Sequence, residues 1–300
     1  MLTNASLQLH NLSKHYAGAS GFALTDVSLQ VAAGEVYGFL GSNGAGKSTT
    51  IRLLLNFLQP SSGTASIMGK DIVSDCVEVK RHVGYLAGDV ALYPKVTGRQ
   101  LFAYLSHLQQ QDTQPYLNML ISRFEAEPDK PIGELSKGNR QKIGIIQALM
   151  HKPDVLILDE PTSGLDPLMQ EVFYETIRET SQRGTAVFIS SHNLSETQRM
   201  CDRIGIIKHG KLIHEQSIKD DASFGTSVFR VVLASTAQVA QFRSSRALNI
   251  VSETGNIVTV QPTGSIADAL KALSSADIKS FTTEQLSLED EFLEYYGENQ

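Results

Sequence analysis

Apolar and polar positions alternate at the start of the chain. "SLQLHNL" (6–12) and "DVSLQV" (26–31) put apolar side chains at nearly every second position, the period of strands with one face on a core. "VYGFL" (36–40) is apolar throughout, which predicts a strand buried on both faces. From Ser48 the pattern changes to helical spacing in "STTIRLLLNFL", and Pro60 and Gly63 are expected to end that helix. Between about Thr97 and Met150 the helical period dominates. It predicts helices over "GRQLFAYLSHLQQQ" and "QPYLNMLISRF", and a third from near Ser136 through "QKIGIIQALM". "PDVLILDEP" and "TAVFISSH" then read as central parallel strands, with "LMQEVFYETIRETSQRG" as the helix between them.

Strands alternating with helices predict an α/β layer built on a parallel sheet. The pattern shifts again after about Ile218. "KDDASFGTS" reads as a linker, followed by strands at "VFRVVLAS", "NIVSET", "GNIVTVQ" and "IKSFTTEQ" and a helix at "SIADALKALSS". A last helix is expected from Ser287 in "SLEDEFLEYYG", with Asp290 placed to help cap it. The organisation expected is one domain over residues 1–220, with a helical part at about 88–150, and a small α+β domain over 221–300.

Composition narrows the class. At 41% hydrophobic and 19% charged, the 300-residue chain has the makeup of a globular protein with a sizeable core. Its net charge of −6 argues against a protein that wraps nucleic acid. Cys76 and Cys201 share no CxxC spacing, which points to reduced thiols in a cytosolic protein rather than a disulfide framework or a zinc site. The opening "MLTNASLQLH" lacks a basic and apolar leader pattern, and no apolar run approaches the ~18 residues of a membrane span.

The chemistry begins at "GSNGAGKST". Gly41, Gly46, Lys47 and Ser48 match G-x-x-x-x-G-K-[ST] between a predicted strand and a predicted helix. Glycines let backbone N–H groups converge on phosphate oxygens, and the helix adds its positive end. Lys47 would hold the β- and γ-phosphates, and Ser48 would ligate Mg²⁺. Such a loop needs a carboxylate at a neighbouring strand end to hold the metal through water, and Asp159 in "VLILDEP" is placed for it. Glu160, one residue on, is positioned to orient and polarise an attacking water. His192 ends "TAVFISSH", where a donor reaches a γ-phosphate. In "ELSKGNRQK", Ser136 opens a helix with Gly138 two residues later. This reads either as an ordinary N-cap or as a helix end aimed at an anion.

The order of the phosphate loop, "LSKGN", "LILDEP", "SGLD" and "SSH" resembles the nucleotide-binding domain of ATP-binding cassette (ABC) proteins over roughly the first 215 to 220 residues. The fold it implies is a phosphate-loop (RecA-like) parallel-sheet core with an antiparallel β subdomain, a helical subdomain and a small α+β appendage. The resemblance implies that Gly41, Ser42, Asn43, Gly44, Ala45, Gly46, Lys47, Ser48 and Thr49 bind the phosphates of ATP. Ser136, Lys137, Gly138 and Asn139 would form the signature that reaches the γ-phosphate held by a second subunit. Asp159 would be the metal-holding aspartate, Glu160 the catalytic base and His192 the switch histidine. Ser163, Gly164, Leu165 and Asp166 would form the D-loop linking the two sites, and Tyr16 would stack on adenine.

Two departures stand out. The signature reads "LSKGN" where the family usually has "LSGGQ". The family's glutamine after a strand like "HVGYL" is replaced by Gly88, followed by Asp89, so either Asp89 or water would fill that role. The resemblance further implies a homodimer or pseudo-dimer driven by ATP and Mg²⁺ and docked on separate membrane permease subunits through the helical region. It would lie on the cytoplasmic face of the membrane, with no nucleic acid as partner. "VALYPKVTGRQLF" and the C-terminal region resemble ABC-2-type subunits that serve drug and antibiotic export. The rival expectation is an ABC ATPase acting on nucleic acid or ribosomes. Such proteins usually carry two cassettes in one chain or a long coiled-coil insertion, and this chain shows neither.

Overall fold

A computed structural model describes residues 5–18, 21–89, 92–109, 113–218, 227–235, 239, 247–263, 265–274 and 276–285. Two compact units divide at Ile218/Lys219. The first begins with β1 (Ala5–His15) and β2 (Phe22–Ala32), an antiparallel pair whose alternate apolar side chains, such as Leu7, Leu9, Val27 and Val31, are buried. β3 (Val36–Leu40) follows, then α1 (Lys47–Leu54), β4 (Ser62–Ile67), β5 (Lys70–Asp71), α2 (Cys76–His82) and β6 (Val83–Leu86). The helical region holds α3 (Gly98–Gln109), α4 (Gln114–Arg123) and α5 (Lys137–Leu149). The unit ends with β7 (Val155–Asp159), α6 (Pro167–Gln182), β8 (Ala186–Ser191), α7 (Leu194–Met200), β9 (Arg203–Lys208) and β10 (Lys211–Ser217).

Two sheets organise this unit. One is antiparallel in the order β2-β1-β4-β5, and the other has six strands in the order β10-β9-β3-β8-β7-β6. β3, β6, β7, β8 and β9 run parallel, and β10 closes one edge antiparallel to β9. β3 and β8 are buried at every position, as strands covered on both faces must be. Leu7, Leu9 and Val31 of the antiparallel sheet, Ile51 and Leu54 of α1, and Phe39 and Phe188 of the parallel sheet share one core.

The parallel register brings the C-terminal ends of β3, β7 and β8 to one side. Leu40 lies beside Ser191 and Asp159 beside Ser190. Open parallel sheets bind ligands at that end.

Helix α1 differs from expectation: it stops at Leu54, well before Pro60. The cause is Asn56, whose backbone is left-handed (φ 54°). Asn56 N–H donates to Leu53 O (2.9 Å) and Phe57 N–H to Arg52 O (2.8 Å), a paired closure that caps the last carbonyls. α3, α4, α5 and α6 fall where the period places them, while α2 and α7, each seven residues long, are not among the expected helices. α5 begins after Ser136, whose Oγ accepts from Asn139 N–H.

The second unit, described by itself, is a four-stranded antiparallel sheet: β11 (Ser227–Leu233), β12 (Leu248–Thr254), β13 (Ile257–Pro262) and β14 (Ile278–Gln285), ordered β12-β13-β11-β14. α8 (Ile266–Leu273), capped by Ser265, contributes Ala269 and Leu273 to a core with Phe229, Val231, Val258 and Val260. The expected final helix at 287–297 and most of the expected linker lie outside the described residues.

Candidate functional site

The loop between β3 and α1 owes its path to glycine. Gly46 has φ 118°, and a Cβ on it would lie 2.9 Å from Leu24 Cδ2 and 3.0 Å from Ala23 O. The chain therefore turns directly into α1 along a cleft of about 460 Å³. Ser42, Asn43, Gly44, Gly46, Lys47, Ser48 and Thr49 line this cleft, together with Asp159, Glu160, Ser163 and His192.

Lys47, Glu160 and His192 are paired inside the cleft. Lys47 is buried, and its ammonium donates to Gly41 O (2.6 Å) and Ser42 O (3.3 Å) while lying 3.5 Å from Glu160 Oε1. The other Glu160 oxygen, Oε2, meets His192 Nδ1 at 2.8 Å. Glu160 itself sits in the left-handed region (φ 49°), sparsely populated by residues with a side chain. Its N–H is held at 3.2 Å by both Ser190 O and Ser190 Oγ. Ser190 also donates to Asp159 Oδ1, and Ser48 Oγ donates to Asp159 Oδ2 at 3.1 Å. Asp159 is thus oriented from both sides. Tyr85, on neighbouring β6, has its phenol pKa raised by burial and then by the Asp159 charge, with Arg52 opposing.

The Ser48 hydroxyl and Asp159 carboxylate form a pair of hard oxygens suited to Mg²⁺, which commonly completes its shell with substrate phosphates and water. Among the described residues no group of three or more His, Cys, Asp and Glu side chains is placed to hold a metal.

Not every expected site residue lines the cleft. Tyr16 lies at its margin, with its hydroxyl 3.4 Å from Thr49 Oγ1 and Lys14 Nζ 5.6 Å from its ring centroid. Gly41 and Ala45 shape the loop from beneath; Ala45 is buried. Ser136, Lys137, Gly138 and Asn139 stand at the N-terminus of α5, outside the residues lining this cleft. Leu165 is buried, and Asp166 accepts from Met169 N–H as the N-cap of α6. Gly88 and Asp89 both line the cleft, and a Cβ on Gly88 would be 3.3 Å from Asp159 Cγ and Oδ2. Sequence reasoning missed Ser190 and Arg52. Ser190 was present in the quoted "SSH", but its role emerges only from the β7–β8 register.

A phosphate loop, a strand-end carboxylate and a paired glutamate–histidine at the carboxyl edge of a parallel sheet are the parts of a nucleoside-triphosphate hydrolase. Residues 24–163 match the ABC transporter family. The chain is 33% identical to the uncharacterized ABC transporter ATP-binding protein YhcH of Bacillus subtilis (strain 168), over 97% of this chain and 96% of that protein. It is 35% identical to the bacitracin transport ATP-binding protein BcrA of Bacillus licheniformis, over 68% of this chain and 67% of that protein. A solved ATP-binding subunit of an ABC transporter superposes with a TM-score of 0.67 at 29% identity, covering 71% of this chain and 90% of that one. The chain belongs to the ABC transporter ATP-binding protein family. It is an ATP-binding, ATP-hydrolysing transporter subunit.

Proposed function

We propose that two copies of this chain close on two ATP molecules and that hydrolysis drives export of a substrate through separate membrane subunits. The observation that carries this reading is the division of the site. Lys47, Asp159, Glu160 and His192 meet in one cleft, while the signature residues 136–139 present a helix N-terminus elsewhere on the same unit. A helix N-terminus favours an anion, and a second copy supplies one as its bound nucleotide. Each pocket is then completed by its twin.

Within a pocket, Lys47 exchanges its carbonyl and glutamate partners for phosphate oxygens. Glu160, held by His192, accepts a proton from water as the water oxygen bonds to the γ-phosphorus and the bond to the bridging oxygen breaks. Ser48, and Asp159 through water, would hold Mg²⁺, which would neutralise charge on the phosphates. Tyr16 faces the base. The D-loop, residues 163–166, links one pocket to the other.

The helical region docks on the membrane subunits. Supporting this is a groove of about 440 Å³ that Leu105 and Met150 of the helical region form with Leu55, Phe57 and Val83 of the neighbouring elements, Phe57 being more than half exposed. Among the described residues no helix is long and apolar enough to cross a membrane. Likeness to a bacitracin transport protein supports export of a drug-like or antibiotic substrate.

The test is Glu160→Gln. Turnover is expected to fall by about 10²-fold or more, with ATP binding retained and dimers accumulating on gel filtration with ATP and Mg²⁺. Lys47→Ala is expected to remove nucleotide binding. Monomers of the Glu160→Gln variant at saturating ATP would refute the shared pocket.

A further inference from the structure

One contact joins two segments that serve different nucleotides in the proposed dimer. Lys137 is the first residue of α5, directly after its N-cap. Its ammonium donates to Ser163 Oγ at 3.1 Å. On the way its stem lies across Gly164, where a Cβ would stand 3.2 Å from Lys137 Cγ and Cδ and 3.3 Å from Cε. Gly138 approaches the same residue: a Cβ on it would be 2.8 Å from Gly164 O. Two residues of the signature therefore clasp two residues of "SGLD" in the same chain.

Ser163 is in turn tied to the segment that carries the base. Its N–H donates to Glu160 O at 3.2 Å, and it lines the cleft beside Glu160 and His192. A lysine in the first turn opposes the partial positive charge of a helix N-terminus, so α5 gains nothing from the charge itself. What the lysine gains is the Ser163 hydroxyl, reached by a side chain long enough to cross Gly164.

We propose that Lys137 is a positioning residue: it fastens the signature end of α5 to the Glu160–Ser163 turn of its own chain. Seating residues 136–139 on the twin's nucleotide then sets the position of Glu160 over the chain's own nucleotide. This rests on the shared-pocket reading above. It assigns the link between the two pockets to the Lys137–Ser163 bond.

Two measurements on the full chain test it. In nucleotide-free protein, K137A and S163A are expected to speed amide hydrogen exchange over residues 161–166 by about five-fold, with K137R recovering most of the protection. In steady-state hydrolysis, each single variant is expected to lower kcat about five-fold with the KM for ATP within about two-fold. K137A/S163A is expected to be no slower than either alone, because both remove one bond, and K137R should recover at least half of kcat. Unchanged exchange in K137A, or losses that multiply in the double variant, overturns the tether. A raised KM with intact kcat overturns it in favour of a direct contact between the ammonium and the twin's phosphate. Failure of the Glu160→Gln variant to dimerise with ATP would strike the shared pocket instead, and the nucleotide-free exchange would still decide whether the tether exists.

Discussion

One residue that constrains the metal-holding carboxylate has no side chain of its own. A Cβ on Gly88 would meet the carboxylate of Asp159 at 3.3 Å, closer than ordinary packing allows, and Asp159 cannot easily give way because Ser48 and Ser190 hold its two oxygens. Gly88→Ala is therefore expected to turn this carboxylate and to lower ATP turnover several-fold, at a stability cost of about 1 kcal/mol, the lower end for overpacking. ATPase assays beside urea unfolding would check it, and full activity in the alanine variant would mean that the carboxylate moves freely. At this scale the sequence was legible where chemistry is local. Lys47 and Ser48 follow from the glycine spacing, and Asp159 and Glu160 from the end of an apolar strand. Ser190 was not legible, because its value lies in standing opposite Asp159 across two strands whose register no local pattern encodes. Lys137 was visible as a departure from the family's signature, but its partner Ser163 is 26 residues away and is brought near only by folding.

Elements were read well where they were long and periodic. α3, α4, α5 and α6 each carry several turns of apolar spacing, and β3, β7 and β8 are continuous apolar runs. β5, with two residues, and β6, with four, are too short for any period to register. The end of α1 was misplaced for a different reason. The apolar spacing continues through Phe57 and Leu58, but the helix stops where Asn56 takes the left-handed backbone and Phe57 N–H closes on Arg52 O. Proline is the stronger breaker in isolation, yet asparagine came first and its conformation was enough. Asn56→Gly is expected to leave stability unchanged or slightly raised, since glycine reaches this conformation without steric cost. Asn56→Ala is expected to destabilise by about 1 kcal/mol, the penalty of a left-handed L-residue. Urea midpoints of the two variants would check the order. An alanine variant as stable as the glycine one would mean that the helix end is set by Pro60 after all.

On the scale of the whole molecule, the chain carries two units with separate cores, and among the described residues those lining the phosphate cleft all belong to the first. Every residue lining the phosphate cleft falls between Ala23 and His192, and the core beneath it is assembled from β1 to β4, α1, β7 to β9 and their neighbours, all before Ile218. The second unit has its own sheet and helix, with Phe229, Val231, Val258, Val260, Ala269 and Leu273 buried among themselves. A domain with its own core can fold alone. A chain ending at Ile218 is therefore expected to bind ATP within about two-fold of the full chain, because no cleft residue has been removed. A nucleotide titration on both chains would check this, with thermal unfolding as the control that the shortened chain is folded. A folded 1–218 chain with ATP affinity lowered ten-fold or more would place part of the nucleotide site in the second unit, against the arrangement of the cleft. Equal affinity with lost dimerisation would instead assign the second unit to pairing. That outcome fits the proposed division of the site between copies, in which binding needs one cleft and hydrolysis the twin's helix.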